Sequence, residues 1–248
     1  MKRLMKNTVV VLASMMAVGL VGCSSYGSFG SYSYKKSAYS NTAAVRNQNI
    51  ETSTRVILTG TTAAANRALI GEQAKARFRG IVSGQDQASV SIDFQIEPNS
   101  ESPVLLHPPG GYRAVDVMNG NARLTAAFVN WVRLTLNALQ QEVAKGATIS
   151  ATYYGGADGL PVRALKYRGE YGLVNVVAIH NGVNYQYHIA SGQRINNAEL
   201  ALLRAVSLRH YLRANSKVEI KDRGFEIETS TQVGGAARYV RVTIHLNR

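Results

Sequence analysis

The chain has 248 residues, with 28 Lys and Arg against 15 Asp and Glu, a formal charge of +13 and a single cysteine. Residues 1–22, 23–55 and 56–195 carry +3 each and 196–248 carry +4. No segment concentrates basic residues as nucleic-acid binding would require, so a solvated basic surface meeting anionic lipid headgroups, lipopolysaccharide or acidic cell wall is the expectation. One cysteine allows no intrachain disulfide, and the fold must rest on its core.

The N-terminus reads as a targeting segment. Lys2, Arg3 and Lys6 form a basic start, and Thr8 to Gly19 an apolar run too short for the roughly 20 residues of a membrane crossing; Leu20-Val21-Gly22-Cys23 follows. This pattern resembles the lipobox of bacterial lipoproteins. The resemblance implies that residues 1–22 are a signal peptide and that Cys23, its thiol diacylated, becomes the new N-terminus. Ser24 and Ser25 follow without an aspartate, which implies an outer-membrane anchor facing the periplasm. Two or three acyl chains, at about 0.8 kcal/mol per buried methylene, make such an anchor effectively permanent.

Residues 23–55, rich in Ser, Tyr, Gly and Asn without apolar periodicity, read as a flexible, disordered tether; Tyr26, Tyr32, Tyr34 and Tyr39 are candidate partner contacts. A small helix-strand module follows over residues 56–112. Its helix is expected from Ala63 to about Phe78, capped by Thr61 or Thr62 and ended by Gly80. The alternation Val90-Ser91-Ile92-Asp93-Phe94-Gln95-Ile96-Glu97 predicts a strand with one wet face. The prolines and glycines between Ser100 and Tyr112 make a loop and a boundary, and a short strand is expected at Ala114 to Met118.

Leu124, Phe128, Val132, Leu136, Leu139 and Val143 recur every three or four residues, predicting a helix to Ala144 closed by Gly146. Thr148 to Tyr154 reads as a strand running into Gly155-Gly156-Ala157-Asp158-Gly159. Leu173 to Ile179 and Val183 to Ile189 flank His180-Asn181-Gly182, a hairpin signal because Asn-Gly accepts the positive φ angles of a type I′ turn. A helix from Asn197 to Ala214 and strands at Lys217 to Lys221, Phe225 to Thr229 and Tyr239 to Leu246 close the chain.

Two charged residues stand out. On a helical wheel Arg204 falls among Leu200, Leu203, Leu208 and Tyr211, so its guanidinium either meets an anion or reaches water along its stem. Asp158 sits in a Gly-rich turn after a strand, where both turn chemistry and ligand binding are common.

The order of strand, Gly-Gly-Ala-Asp, then Asn197-Ala198-Glu199-Leu200-Ala201-Leu202-Leu203-Arg204-Ala205, with Ala237-Arg238-Tyr239-Val240 near the end, resembles the peptidoglycan-binding domain of the OmpA C-terminal family. That family's motifs are Gly-His-Thr-Asp, Asn-x-x-Leu-Ser-x-x-Arg-Ala and Asn-Arg-Arg-Val. The resemblance implies an α+β fold, a βαβαβ two-layer mixed sheet over 113–248, with a β-hairpin inserted at 163–193. It also implies a non-catalytic site for the diaminopimelate of the cell-wall stem peptide: Asp158 takes the ammonium, Arg204 forks the carboxylate, and Gly156 and Asn197 belong to the same motifs. The chain departs from the pattern at Gly156-Ala157, where the family has His-Thr, in the insertion, and in a short final loop.

Other chemistry has little support. His107, His180, His188, His210 and His245 lack metal-ligand spacing, no phosphate-binding loop is present, and nothing in the sequence joins Asp158 to Glu170 as a hydrolytic pair. The expectation is therefore no enzyme, metal or cofactor, with peptidoglycan and the outer membrane as partners. The rival expectation comes from another class: outer-membrane lipoproteins with OmpA-like domains serve as structural subunits of envelope-spanning machines such as type IV secretion systems and flagellar motors. There the wall site is vestigial and the hairpin serves subunit contacts.

Overall fold

The computed structural model describes residues 34–69, 76–84, 89–98, 112, 120–162, 165–233 and 237–248. The lipobox with Cys23, His107 and the strand expected at Ala114 to Met118 lie outside them.

The elements in order are α1 (Tyr34–Arg67), β1 (Ala76–Gly84), β2 (Ser89–Pro98), α2 (Gly120–Ala138), α3 (Gln140–Ala144), β3 (Thr148–Ala157), β4 (Val174–His180), β5 (Val183–Ile189), α4 (Asn197–Asn215), β6 (Lys221–Thr229) and β7 (Val240–Asn247). The strands form one seven-stranded mixed sheet in the order β1-β2-β7-β3-β6-β4-β5. β6 runs parallel to β3 and to β4, and the other neighbours are antiparallel. The fold is α+β.

Strict alternation puts Val90, Ile92 and Phe94 of β2, and Val242, Ile244 and Leu246 of β7, on one buried face. Phe78, Phe94, Phe128 and Trp131 meet there, the Phe78 and Trp131 rings stacked with centroids 5.1 Å apart. The opposite face carries Asp93, Gln95, Arg241 and Thr243, and Arg241 lies 4.5 Å over the ring of Tyr154. The helix from Asn197 begins as its sequence dictates: the Asn196 side chain accepts from the Glu199 N–H, and the Glu199 carboxylate accepts from the Asn196 N–H, a capping box. The hairpin turn has Asn181 at φ 48° and Gly182 at φ 85°, the positive pair the sequence called for.

Four expectations are corrected. Residues 34–55, read as a disordered tether, are helical in α1. The helix expected from Ala63 to Phe78 ends at Arg67, and Ala76–Gly84 is a strand. The reason is that α1 is held by a narrow seam, Ile50, Thr54 and Leu58, in which a polar residue fills a buried position and hides the periodicity. Thr61, expected near a helix start, lies inside α1; its hydroxyl meets the Thr135 hydroxyl of α2 at 2.8 Å. In β1, Ala76, Phe78 and Val82 are buried while Arg77 and Arg79 are exposed, the period-two signature of a strand. Residues 76–98 are also not a module apart, because β2 pairs with β7 from Ser89↔Asn247 to Phe94↔Val242. Finally, of the strand expected at Lys217 to Lys221 only Lys221 is in a strand: β6 begins there and runs through the strand expected at Phe225 to Thr229, with a register shift opposite Ala151 and Thr152 and Gly224 at φ 151°.

The insertion does contain a hairpin. β4 continues the main sheet along β6, Ala178 opposite Phe225, and β5 forms the outer edge.

Candidate functional site

The C-terminal end of β3 is built to let other backbones approach. A Cβ on Gly155 would run into the Ala201 carbonyl of α4, and one on Gly156 into the Tyr239 ring and the Ala237 carbonyl. The Gly156 N–H donates to the Tyr239 carbonyl at 3.0 Å, and the Ser230 N–H to the Ala157 carbonyl at 2.9 Å. Three chain segments therefore meet where β3 ends.

Four residues singled out from the sequence converge at this point. The Arg204 Nη1 donates to the Gly156 carbonyl, crossing from α4 to β3. The Asn197 side-chain amide, at the start of α4, donates to the Asp158 carbonyl at 2.8 Å. Thus the helix is pinned to the strand end at both its first turn and its middle. The intervening insertion does not separate the two motifs, because its hairpin leaves along the sheet beyond β6.

The structure adds a fifth residue. Arg238, just before β7, donates from Nη2 to Asp158 Oδ2 at 2.5 Å. Sequence reasoning noted Arg238 only as part of Ala237-Arg238-Tyr239-Val240 and gave it no role; the position of that segment in the motif order was the available signal.

All three charges are out of water: Arg204 is 1% exposed, Asp158 6% and Arg238 7%. Burial, and then the nearby Arg238, pull the Arg204 pKa down to about 10, with Asp158 opposing them. The guanidinium stays protonated at neutral pH. Two cations around one carboxylate leave a local excess of positive charge, so the arrangement suits a ligand that carries an anionic group.

The other candidates are elsewhere engaged. Glu170 accepts the Tyr112 hydroxyl at 2.8 and 3.0 Å while Asp158 accepts Arg238, so the structure does not join them as a carboxylate pair. His180 lies between the Tyr187 and Thr229 hydroxyls at 2.8 and 2.9 Å. Among the described residues no group of three or more His, Cys, Asp or Glu side chains is disposed to hold a metal ion. No helix among them is long and apolar enough to cross a membrane. Neither protein-family models nor curated protein sequences give a match to this chain.

Proposed function

We propose that this chain is an outer-membrane lipoprotein, anchored through Cys23, whose folded domain is OmpA-like and binds peptidoglycan non-catalytically. The observation that carries the reading is the meeting of Asp158 and Arg204 at the end of β3, bridged by Gly156 and Asn197. The strand order β2-β7-β3-β6, with α2 between β2 and β3 and α4 between β3 and β6, supports the expected βαβαβ arrangement. Diaminopimelate ends in an ammonium and a carboxylate on one carbon, and an anion beside a rigid cation reads both. The Arg238 contact fixes the orientation of the Asp158 carboxylate at the strand end.

The test is sedimentation with purified sacculi. The wild-type protein pellets with the wall, and Asp158→Ala and Arg204→Ala remain in the supernatant while keeping a cooperative melt. The anchor is tested separately by fractionating cells that carry Cys23→Ala: release from the outer membrane is the expected result, and unchanged detergent partitioning refutes it.

A second reading is favoured by a specific observation. The pair is closed, with Arg204 almost fully covered, and a ligand must open the site before it binds. At the same time the hairpin leaves Val177 56% and Val183 55% exposed near the open edge of the sheet. Such an edge suits strand addition by a neighbour. Under this reading the protein is a structural subunit of an envelope-spanning machine and the charged cluster is an internal brace. Wild-type protein that ignores sacculi yet elutes within a large complex supports it.

A further inference from the structure

The two ends of the sheet differ in what the chain brings to them. Gly84 at the end of β1, Val90, Leu246 and Ile149 are successive partners across four strands, so the end of β1 and the start of β3 share one end of the domain. α1 runs back along β1. The Asn66 amide donates to the Phe78 carbonyl at 2.9 Å and accepts from the Phe78 N–H at 2.7 Å, Arg55 donates to the Val82 carbonyl at 3.0 Å, and the Glu51 carboxylate lies 3.4 Å from where a Cβ on Gly84 would stand. The chain before Glu51 therefore leaves the domain at this end. From Ile149 to Asp158 is about 30 Å by strand rise along β3, so Asp158 and Arg204 mark the opposite end.

The end where the chain enters is basic. From Arg209 to Arg223, the last turns of α4 through the start of β6, five Lys and Arg stand against Glu219 and Asp222. This stretch lies at that end because Lys221 partners Ser150 near the start of β3, and the Lys217 N–H donates to the Asn137 side chain of α2 at 2.8 Å. Asp222 is shared by Arg209 and Arg213, each at 3.3 Å, and Glu142, just before β3, by Lys145 and Arg248, each at 2.9 Å. One carboxylate between two cations leaves positive charge over in both places. Lys217, Lys221 and Arg223 are exposed and make no ion pair among the described residues.

We infer that this basic end docks on an anionic lipid surface, which turns the Asp158 and Arg204 end away from the membrane. The inference rests on the anchor reading, under which the segment entering here leads back to Cys23. A tether converts docking into an intramolecular event, and each Lys or Arg near an anionic surface strengthens it roughly fivefold. Compact ammonium groups on flexible stems suit a surface of many headgroups, which needs no built pocket. An acidic wall polymer would meet the end that faces the wall, whereas the basic end is the one the anchor holds beside the lipid.

The test uses the membrane-anchored chain, reconstituted in nanodiscs of phosphatidylcholine alone or mixed with phosphatidylglycerol. With Cys23 acylated, Ala214→Cys at the basic end or Gln232→Cys at the opposite end supplies one free thiol at an exposed position for a fluorophore, read against a quencher on the lipid headgroups. Quenching of the Ala214→Cys probe and not of the Gln232→Cys probe is expected, in discs with phosphatidylglycerol only. It disappears when salt is raised from about 0.1 M to about 1 M, which shortens the screening length from about 10 Å to 3 Å. Lys217→Gln/Lys221→Gln/Arg223→Gln, whose altered side chains are exposed, weakens docking by about 100-fold. Equal quenching of the two probes, equal quenching in neutral discs, or quenching that survives the triple variant overturns the inference. So does quenching of the Gln232→Cys probe alone, which would put the opposite end on the membrane. A chain that takes the fluorophore at Cys23 and stays out of the discs refutes the anchor reading and this inference with it, whereas an inserted chain that fails to dock refutes the inference alone.

Discussion

Arg238 and Asp158 stand 80 positions apart in the chain and close to 2.5 Å in the fold, both buried, tying the start of β7 to the end of β3. A buried charge that loses its partner costs about 3 to 5 kcal/mol, more than the pair itself contributes over an apolar substitute. Arg238→Met should therefore lower the unfolding free energy by about 3 kcal/mol. Adding Asp158→Leu should restore part of it, as urea unfolding of the double-mutant cycle would show; additive losses would mean the two side chains do not depend on each other.

Close approach at the strand end gives a second prediction. Gly155→Ala drives a methyl into the Ala201 carbonyl, a backbone atom that cannot step aside, and should cost about 3 kcal/mol. Gly60, inside α1, has nothing within 4 Å of an added Cβ, and Gly60→Ala should stabilise by up to about 1 kcal/mol. Opposite shifts in melting temperature are the expected readout.

Much of this region was legible in the sequence and some was not. The capping box, the Asn181-Gly182 turn and the alternation of β2 are local signals, written within a few residues of where they act. The meeting of Gly156, Asp158, Asn197 and Arg204 was legible as a motif order. Arg238 escaped because nothing local marks it: one arginine beside a tyrosine acquires meaning only when β7 is laid next to β3. The helix α1 escaped for another reason, since Thr54 occupies a buried position where periodicity looks for an apolar residue. Arg77 and Arg79 likewise read as helix formers until the pairing of β1 with β2 shows their two-residue period.

Acid should weaken the fold in two steps. Burial, with Arg223 nearby, lowers the pKa of His245 from its ordinary 6.5, so its neutral form belongs to the folded state. Its contribution is complete above that value and is lost as pH falls below it. Burial raises the Glu142 carboxyl, but Lys145 and Arg248, each at 2.9 Å, outweigh burial and leave it below its ordinary 4.5. That contribution is present above 4.5 and disappears as pH falls through the lowered value. His245→Gln should flatten the stability profile as pH falls below the ordinary histidine value of 6.5, and Glu142→Gln the part below the ordinary carboxyl value of 4.5. Equal slopes in wild type and variants would contradict the assignment.

The hairpin separates folding from assembly. Val174, Ala178 and Ile189 are buried, so excising the hairpin should abolish cooperative unfolding. Val177→Lys and Val183→Lys change exposed positions and should leave the melt within about 0.5 kcal/mol of wild type. If the hairpin is a subunit contact, the same two variants dissociate the protein from any large complex in size-exclusion chromatography; an unchanged elution position excludes it from assembly.

The central claim is that Asp158 and Arg204 form one site for the diaminopimelate side chain, and calorimetry with a diaminopimelate-containing muropeptide tests it most directly. Losing one charge-assisted contact at a largely desolvated site costs about 2 to 4 kcal/mol, so wild type should bind with an affinity about 30-fold or more above that of Arg204→Gln or Asp158→Asn. Wild-type protein that stays silent at millimolar muropeptide, or variants that bind as tightly as wild type, would contradict it.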